Sequence, residues 1–191
     1  MTFQWTPHRF TGGALALDVA NSVILRFDAK RRTDRFAVPA QFGAFAEAAS
    51  ELSAERDNFP GLAPVADGRE ADFIGLREAI DAHFRHRTLH GADDNQLVAG
   101  LLGRLSATFA AHADNADPRP DPCPVDLATA RSALNLIASP DTERLKICPN
   151  CEWLFIDRSK NQSRTWCDMS VCGNRAKARL HYKKRRMEAS P

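Results

Sequence analysis

The sequence lacks the features of membrane and secreted proteins. No apolar run approaches the roughly 20 residues that would cross a bilayer. The N-terminus, residues 1–9, holds Gln, Trp and Pro where a signal peptide needs a basic start followed by an apolar stretch. We therefore expect a cytoplasmic protein without a membrane partner, in which cysteine thiols stay reduced.

Signatures of common enzymes are also missing. The chain has no glycine-rich phosphate-binding loop and no nucleophile elbow. None of its six histidines is followed two residues later by the glutamate that a zinc deaminase requires. We expect no enzymatic activity, and an enzyme with a pocket in the helical part is a weaker alternative.

Helical patterns fill the first three quarters of the chain, and no convincing strand accompanies them before residue 144. A helix is predicted from about Ala14 to Leu25. Later helices are predicted to start at Pro39 and at Asp93 or Asp94. Helix ends are predicted at Gly91 and at Ser139-Pro140. Four further apolar faces are predicted to be Phe42, Phe45, Ala49 and Leu52; Phe73, Leu76, Ile80 and Phe84; Leu97, Leu101, Leu105 and Phe109; and Leu127, Ala130, Leu134 and Ile137. Residues 113–124, with four prolines, are predicted to be a surface loop.

Four of the five cysteines are spaced as a metal site. Cys148 and Cys151 are separated by two residues, and Cys167 and Cys172 by four. Two such pairs, fifteen residues apart, can close a tetrahedron of thiolates around one ion. A closed set of four ligands indicates a structural Zn²⁺, although iron in a rubredoxin-like site uses the same ligands. The fifth, Cys123, is predicted to be a bystander thiol.

The predicted fold class is therefore mostly α. Residues 1–143 are expected to form a helical bundle. Residues 144–191 are expected to form a small zinc module made of a knuckle, a hairpin and a C-terminal helix. Trp153 and Trp166 are assigned to its core, although either could stack on bases. Substitution of Cys151 by serine is expected to release the metal and disorder this module while the bundle stays folded.

Charge is divided unevenly between these two parts. The first 143 residues hold 14 Lys and Arg against 20 Asp and Glu, whereas the last 48 hold 12 against 4. The last helix, with Ser170 as a candidate cap, turns Cys172, Ala176, Leu180 and Met187 towards one side. Its flanks carry candidate nucleic-acid-binding residues: Arg175, Lys177, Arg179, Lys183, Lys184 and Arg186. The alternative is a solvated basic face that offsets the acidic bundle.

The run Cys172-Gly173-Asn174-Arg175 resembles the motif that gives the CGNR zinc-finger family its name. Trp153, Phe155, Asp157-Arg158-Ser159 and Lys177 also resemble that family's pattern. The resemblance implies that the four cysteines bind zinc and that Gly173 permits close packing beside the metal. It further implies that Asn174 fixes the helix start and that Arg175 contacts phosphate or the knuckle backbone.

The N-terminal half resembles the domain that precedes this finger in the family, a stress-induced transcription regulator called the ABATE domain. The resemblance lies in residues 12–22, with a double glycine followed by Leu17-Asp18-Val19-Ala20-Asn21-Ser22, and in residues 76–80. Val19 and Ser22 depart from the usual Phe and Thr. What the resemblance implies is a bacterial-type regulator that binds DNA.

Two other groups of residues are candidates for a site. Asp18 and Asn21 lie on one face of an apolar helix and could bind a small-molecule effector, or else tie down backbone near the Gly12-Gly13 loop. His83, His86 and His90 share helical spacing that can suit a metal, but we assign them to a helix surface. The expected function is a DNA-binding transcription regulator that could form oligomers. An RNA-binding or protein-interaction module with a structural zinc is the alternative.

Overall fold

The structure, a computed structural model, describes residues 3–59, 61–114 and 120–188, without the side chains of Lys184 and residues 186–188. Within these ranges the helices are α1 (Leu15–Ala20), α2 (Ala40–Leu52), α3 (Glu70–His90), α4 (Asn95–Ala111), α5 (Val125–Ile137) and α6 (Asn174–Glu188). The short strands are β1 (Val23–Ile24), β2 (Thr33–Asp34), β3 (Leu62–Ala63), β4 (Cys123–Pro124), β5 (Leu145–Ile147) and β6 (Leu154–Ile156). None of the described helices combines the length and apolarity that crossing a membrane requires.

Helix α1 lies at the centre of the molecule, and every one of its residues is buried. Leu15 and Val19 pack into an aromatic cluster with α2 and its neighbours. Ala16, Leu17 and Ala20 pack into a second, aliphatic cluster with α3, α4 and α5. Because apolar side chains occupy both sides of α1, the helix is hydrophobic all round, as a buried helix must be.

The predicted ends of α3 and α4 are confirmed. Helix α3 ends at Gly91, which adopts the left-handed conformation with φ +68°. Asp94 caps α4, since its carboxylate accepts hydrogen bonds from the backbone N–H groups of Gln96 and Leu97. The face predicted for α5 is partly wrong. Leu127 and Ala130 are buried as predicted, but Leu134 is 44% exposed, and Ala133 and Leu136 face the core as well.

The first predicted helix is too long, because α1 ends at Ala20 and the chain then turns. Val23 and Ile24 pair antiparallel with Asp34 and Thr33. Leu62 and Ala63 pair in parallel with Cys123 and Pro124. These two-residue ladders before residue 144 were not expected from the sequence. The predicted loop 113–124 therefore ends in β4 with Cys123 buried, and its residues 115–119 lie outside the described ranges.

The β5–β6 hairpin packs against the helices. Leu145, Leu154 and Ile156 belong to the same aliphatic cluster as Leu17 and Ile80. The outer edge of β6 is covered as well. Asn21 exchanges two hydrogen bonds with the backbone of Leu154, and the N–H of Ile156 donates to the carbonyl of Gly12 at 2.9 Å. The proposed division into a bundle and a zinc module at residue 143 stays a prediction. The aliphatic cluster contains residues from both sides of that point.

Candidate metal centre

The four cysteines predicted from spacing lie together. The Sγ atoms of Cys148, Cys151, Cys167 and Cys172 are all within 4.8 Å of one another. The Cys151–Cys167 and Cys167–Cys172 sulfur pairs are each 3.6 Å apart. A tetrahedron with Zn–S bonds of about 2.3 Å has sulfur–sulfur edges of about 3.8 Å, so these distances fit a single zinc ion. They are too long for disulfides, and all five cysteines are free thiols.

The protonation of this cluster explains why it needs a cation. Hydrogen bonds from Cys151 and Cys167 hold the pKa of the Cys148 thiol far below its usual range. The same crowding, together with burial, raises the pKa values of Cys151 and Cys167. Four adjacent thiolates therefore cannot coexist without a positive charge. A bound Zn²⁺ supplies that charge, holds all four sulfurs deprotonated and cross-links the segment.

Local backbone structure positions each pair of ligands. Cys148 follows β5, and a tight turn brings Cys151 back beside it. In this turn the N–H of Glu152 donates to the Cys148 carbonyl at 2.8 Å, and Glu152 itself has φ +63°. Cys172 lies within a π-helical turn, Met169–Gly173, that leads directly into α6.

Asp168, not Ser170, caps this turn. The Asp168 carboxylate accepts from the backbone N–H groups of Ser170 and Val171 at 2.8 and 3.3 Å. Ser170 lies too far along the turn to cap it, and its hydroxyl donates to Asp168 instead. The roles implied for the next residues agree with the geometry. The Asn174 amide donates to the Ser170 carbonyl at 2.9 Å, and a Cβ on Gly173 would lie 3.3 Å from Trp166 while also meeting Met169.

A buried carboxylate organises the loop between the two ligand pairs. Asp157 accepts hydrogen bonds from Lys146 Nζ at 2.7 Å and from the backbone N–H groups of Ser159 and Arg164 at 2.9 Å. Burial alone would raise the pKa of Asp157, but these donors lower it well below its usual range. The position matches the Asp-Arg-Ser element noted in the sequence. Spacing alone gave no sign that its partners would be Lys146 and Arg164.

Residues remote in sequence surround the centre, and the sequence gave no signal for them. His8 Nδ1 lies 3.0 Å from Asp168 Oδ2, and His8 Nε2 lies 3.9 Å from Cys172 Sγ. The Asn150 amide donates to Cys172 Sγ at 3.2 Å. Such outer contacts orient metal ligands. The N-terminal segment thus forms one wall of the centre, although it lies 160 residues from Asp168.

The aromatic residues of the module act mainly as core. Trp153 is 2% exposed and packs with Phe155 beside the cysteines, as expected. Trp166 is partly buried against the same cluster. Trp153 is therefore too buried to stack on a base. Trp166 packs on the cluster with one part of its ring and exposes the rest to solvent.

Helix α6 projects into solvent instead of packing along one side. Leu180 is 71% exposed, so the prediction that it faces inward is wrong. Ala176 is partly buried, and Met187 lies outside the described side chains. The turn that carries Cys172 holds the start of the helix, and Leu180, further along, packs on no other described element.

The candidate nucleic-acid-binding residues follow this exposed helix. Arg175, Lys177, Arg179 and Lys183 are exposed, whereas the side chains of Lys184 and Arg186 lie outside the described part. Arg179 is not a free cation, because its guanidinium donates to Asn150 Oδ1. Since Asn150 also donates to Cys172, Arg179 connects the helix to the zinc knuckle.

Asp18 and Asn21 bond to the chain's own backbone. Asp18 Oδ1 accepts from the Gly12 N–H at 2.9 Å, and Oδ2 lies 3.5 Å from the Ser53 hydroxyl. Asn21 bonds both backbone groups of Leu154. A Cβ on Gly12 would lie 2.8 Å from Asp18 Oδ1, which explains why a glycine precedes this helix. These contacts support the alternative of tied-down backbone, and effector binding there stays a prediction.

The three histidines of α3 do not share one environment. His83 is 4% exposed, so its assignment to the helix surface is wrong, while His90 is exposed. The His86 and His90 rings lie 4.3 Å apart between centroids. Among the described residues, the four cysteines are the group of three or more that is placed to hold a metal ion.

Comparison with known families agrees with this centre. Residues 144–185 match the family model described as the CGNR zinc finger. The match covers the hairpin, all four ligands and most of α6. A search of curated proteins finds no match to the chain. Residues 144–185 are therefore a CGNR zinc finger, and their four clustered cysteines hold one structural Zn²⁺.

Proposed function

We propose that this protein is a DNA-binding transcription regulator whose zinc ion shapes the binding element and takes no part in catalysis. The single observation that carries the proposal is α6, a basic helix anchored at the zinc centre and exposed along its described length. Its 15 residues extend about 22 Å, and a helix fits the DNA major groove, which is about 12 Å wide. We propose that the helical part is the regulatory ABATE domain, which senses a signal or effector or forms oligomers.

Charge supports DNA as the partner. The described side chains of α6 include five exposed Lys and Arg: Arg175, Lys177, Arg179, Lys183 and Arg185. In the described residues, none of these five has a carboxylate within ion-pair distance. Arg179 also donates to Asn150, and the other four are available for phosphates, whose contacts release counterions and make binding salt-dependent.

The first prediction tests this helix. Replacing Arg175, Lys177 and Lys183 together by Gln should weaken binding of labelled genomic DNA and reduce the slope of log affinity against log salt by about three. Arg179 is left intact because it contacts the knuckle through Asn150. Fluorescence anisotropy across a salt series measures the slope, and metal analysis should still find one zinc per chain.

A matched control removes the same charge elsewhere. Lys30, Arg31 and Arg104 are exposed residues of the helical part, and their triple Gln variant should bind DNA like the wild type. An equal loss of DNA affinity in both triple variants would show that binding depends on the net charge of the protein alone. Failure of the zinc-loaded wild type to bind any genomic fragment at low salt would refute the proposal. Preference for single-stranded RNA would favour the RNA-binding alternative.

A further inference from the structure

Two arginines of the N-terminal half lie over aromatic rings, one of which, Trp153, packs beside the zinc centre. The guanidinium carbon of Arg9 is 5.2 Å from the ring centroid of Trp153 and 5.3 Å from that of Phe3. The guanidinium carbon of Arg35 is 3.8 Å from the same Phe3 ring. The two cations therefore share one aromatic neighbour and lie close together. Stacking fixes their guanidinium planes and lowers the entropy lost when they bind a ligand.

Among the described residues, neither arginine pairs with a carboxylate, in contrast to most other arginines of the helical part. Eight arginines pair with a carboxylate: Arg26, Arg31, Arg32, Arg69, Arg77, Arg85, Arg87 and Arg104. Within the described residues, no carboxylate lies within ion-pair distance of Arg9 or Arg35. Arg35 Nε is in addition buried without a hydrogen-bond partner. The Arg35 guanidinium therefore keeps hydrogen-bonding capacity that no described residue uses.

Arg175 approaches the same place from the zinc finger. His8 contacts both Asp168 and Cys172, which brings the neighbouring Arg9 to the start of α6. Arg175 is the second residue of that helix and is exposed. Burial, followed by the positive charges of Arg35 and Arg175, lowers the pKa of Arg9, which agrees with all three guanidinium groups lying near one another.

We propose that Arg9, Arg35 and Arg175 together bind one phosphate of the nucleic-acid backbone, where the N-terminal segment meets α6. Guanidinium groups suit this ligand because their planar donors form paired, charge-assisted hydrogen bonds to phosphate oxygens. The inference rests on the proposed function and deepens it. The binding surface then extends from the finger onto the helical part, so both parts must keep their relative position for full affinity.

A simpler role for these arginines is to balance the net negative charge of the zinc centre, because the charge of four thiolates exceeds that of Zn²⁺. The negative charges of Cys151 and Cys172 do act on Arg9. The cysteine charges have no corresponding effect on Arg35, whose pKa is lowered by burial. The two roles differ in their consequences, because charge balance affects zinc affinity, whereas a phosphate site affects nucleic-acid affinity at full zinc occupancy.

The test uses full-length, zinc-loaded protein and the anisotropy assay with labelled DNA. Replacing Arg9 and Arg35 together by Gln should weaken binding about tenfold per arginine at 0.1 M salt and lower the salt slope by about two. Replacing both by Lys keeps the charges and should keep the slope. The control, Lys30 and Arg31 both replaced by Gln, should match the wild type. Zinc content and circular dichroism confirm that each variant is loaded and folded.

Each result separates the hypotheses. If the α6 triple variant loses affinity while the Arg9 and Arg35 double variant does not, the phosphate site is refuted and the proposed function stands. If the double variant only loses zinc and binds DNA normally once reloaded, charge balance is the correct role. Calorimetry with inorganic phosphate is a further arm. Phosphate binding that needs Arg9 and Arg35, with DNA affinity unchanged in the variant, would assign the site to a free phosphate and overturn the proposal.

Discussion

At the scale of single residues, buried carboxylates perform structural work in this protein. Asp18 is fully buried and fixes the Gly12 backbone at the start of α1. Glu55 accepts from the Leu15 N–H at 2.7 Å and from the Ser132 hydroxyl, so it also contributes to this region. Burial, with a smaller effect from Glu55, raises the pKa of Asp18 well above 3.8. The protonated form of Asp18 is therefore favoured in the folded chain.

A pH prediction follows for Asp18. Because its pKa is higher in the folded state, the stability contributed is complete below about pH 3.8 and is lost as pH rises through the folded-state value. Asp18→Asn keeps an oxygen for the Gly12 N–H and removes the ionisation. The variant should therefore gain stability over the wild type as pH rises from 4 to 8, measured by urea unfolding.

The control for this series is Asp67→Asn, since Asp67 is exposed and lies in a turn. Its stability difference from the wild type should not change with pH. A difference between the wild type and Asp18→Asn that is the same at every pH would show that folding does not raise the pKa of Asp18.

At the scale of elements, the β6 strand shows how a short strand becomes stable. Its inner edge pairs with β5 in antiparallel register. Its outer edge is paired by Asn21 at Leu154 and by Gly12 at Ile156, so no open edge is left for another chain. Asn21 is the C-cap of α1, so the residue at which the helix ends is also the one that bonds β6.

We predict that Asn21→Ala weakens this attachment. The substitution leaves the buried N–H and C=O of Leu154 without partners, which should cost about 2–4 kcal/mol of the free energy of unfolding. Asn135→Ala is the matched control, because Asn135 is exposed on α5 and should change stability by less than about 0.5 kcal/mol. Urea unfolding followed by circular dichroism measures both. Equal stabilities of the two variants would show that water replaces the Asn21 amide.

At the scale of the whole molecule, the zinc finger and the helices share a core. Leu145, Leu154 and Ile156 come from the finger's hairpin and pack with α1 and α3. His8 and Arg9 reach the centre from the other end of the chain. The hairpin of the finger is therefore part of the same core as the helices. We expect the metal to stabilise this shared core as well as the finger.

This changes the expected result of losing the metal. Cys151→Ser should release zinc and also lower the melting temperature of the helices by more than about 10 °C, because several buried apolar contacts are lost. Cys123→Ala, at a thiol outside the zinc set, should keep one zinc per chain and lower the melting temperature less than Cys151→Ser does. Circular dichroism at 222 nm with zinc analysis measures both. Helices that melt unchanged in Cys151→Ser would support the sequence-based expectation of an independent bundle.

The sequence by itself determined the features that depend on local spacing. Cys148-x2-Cys151 and Cys167-x4-Cys172 fix the ligand set, because a knuckle and a helical turn bring cysteines at those separations to one ion. Helical periodicity likewise located α2 to α5 and the cap of α4, since helix hydrogen bonds and caps join residues close in sequence.

Only the tertiary structure decided which segments that are distant in sequence contact each other. Nothing in the sequence indicates that His8 meets Asp168, that Asn21 pairs with β6, or that Arg9 lies over Trp153 of the zinc finger. Nor does periodicity show that Leu180 is exposed, because an apolar face predicts burial only where another element packs on it. These contacts join residues up to 160 positions apart and depend on how the whole core closes, which local patterns do not specify.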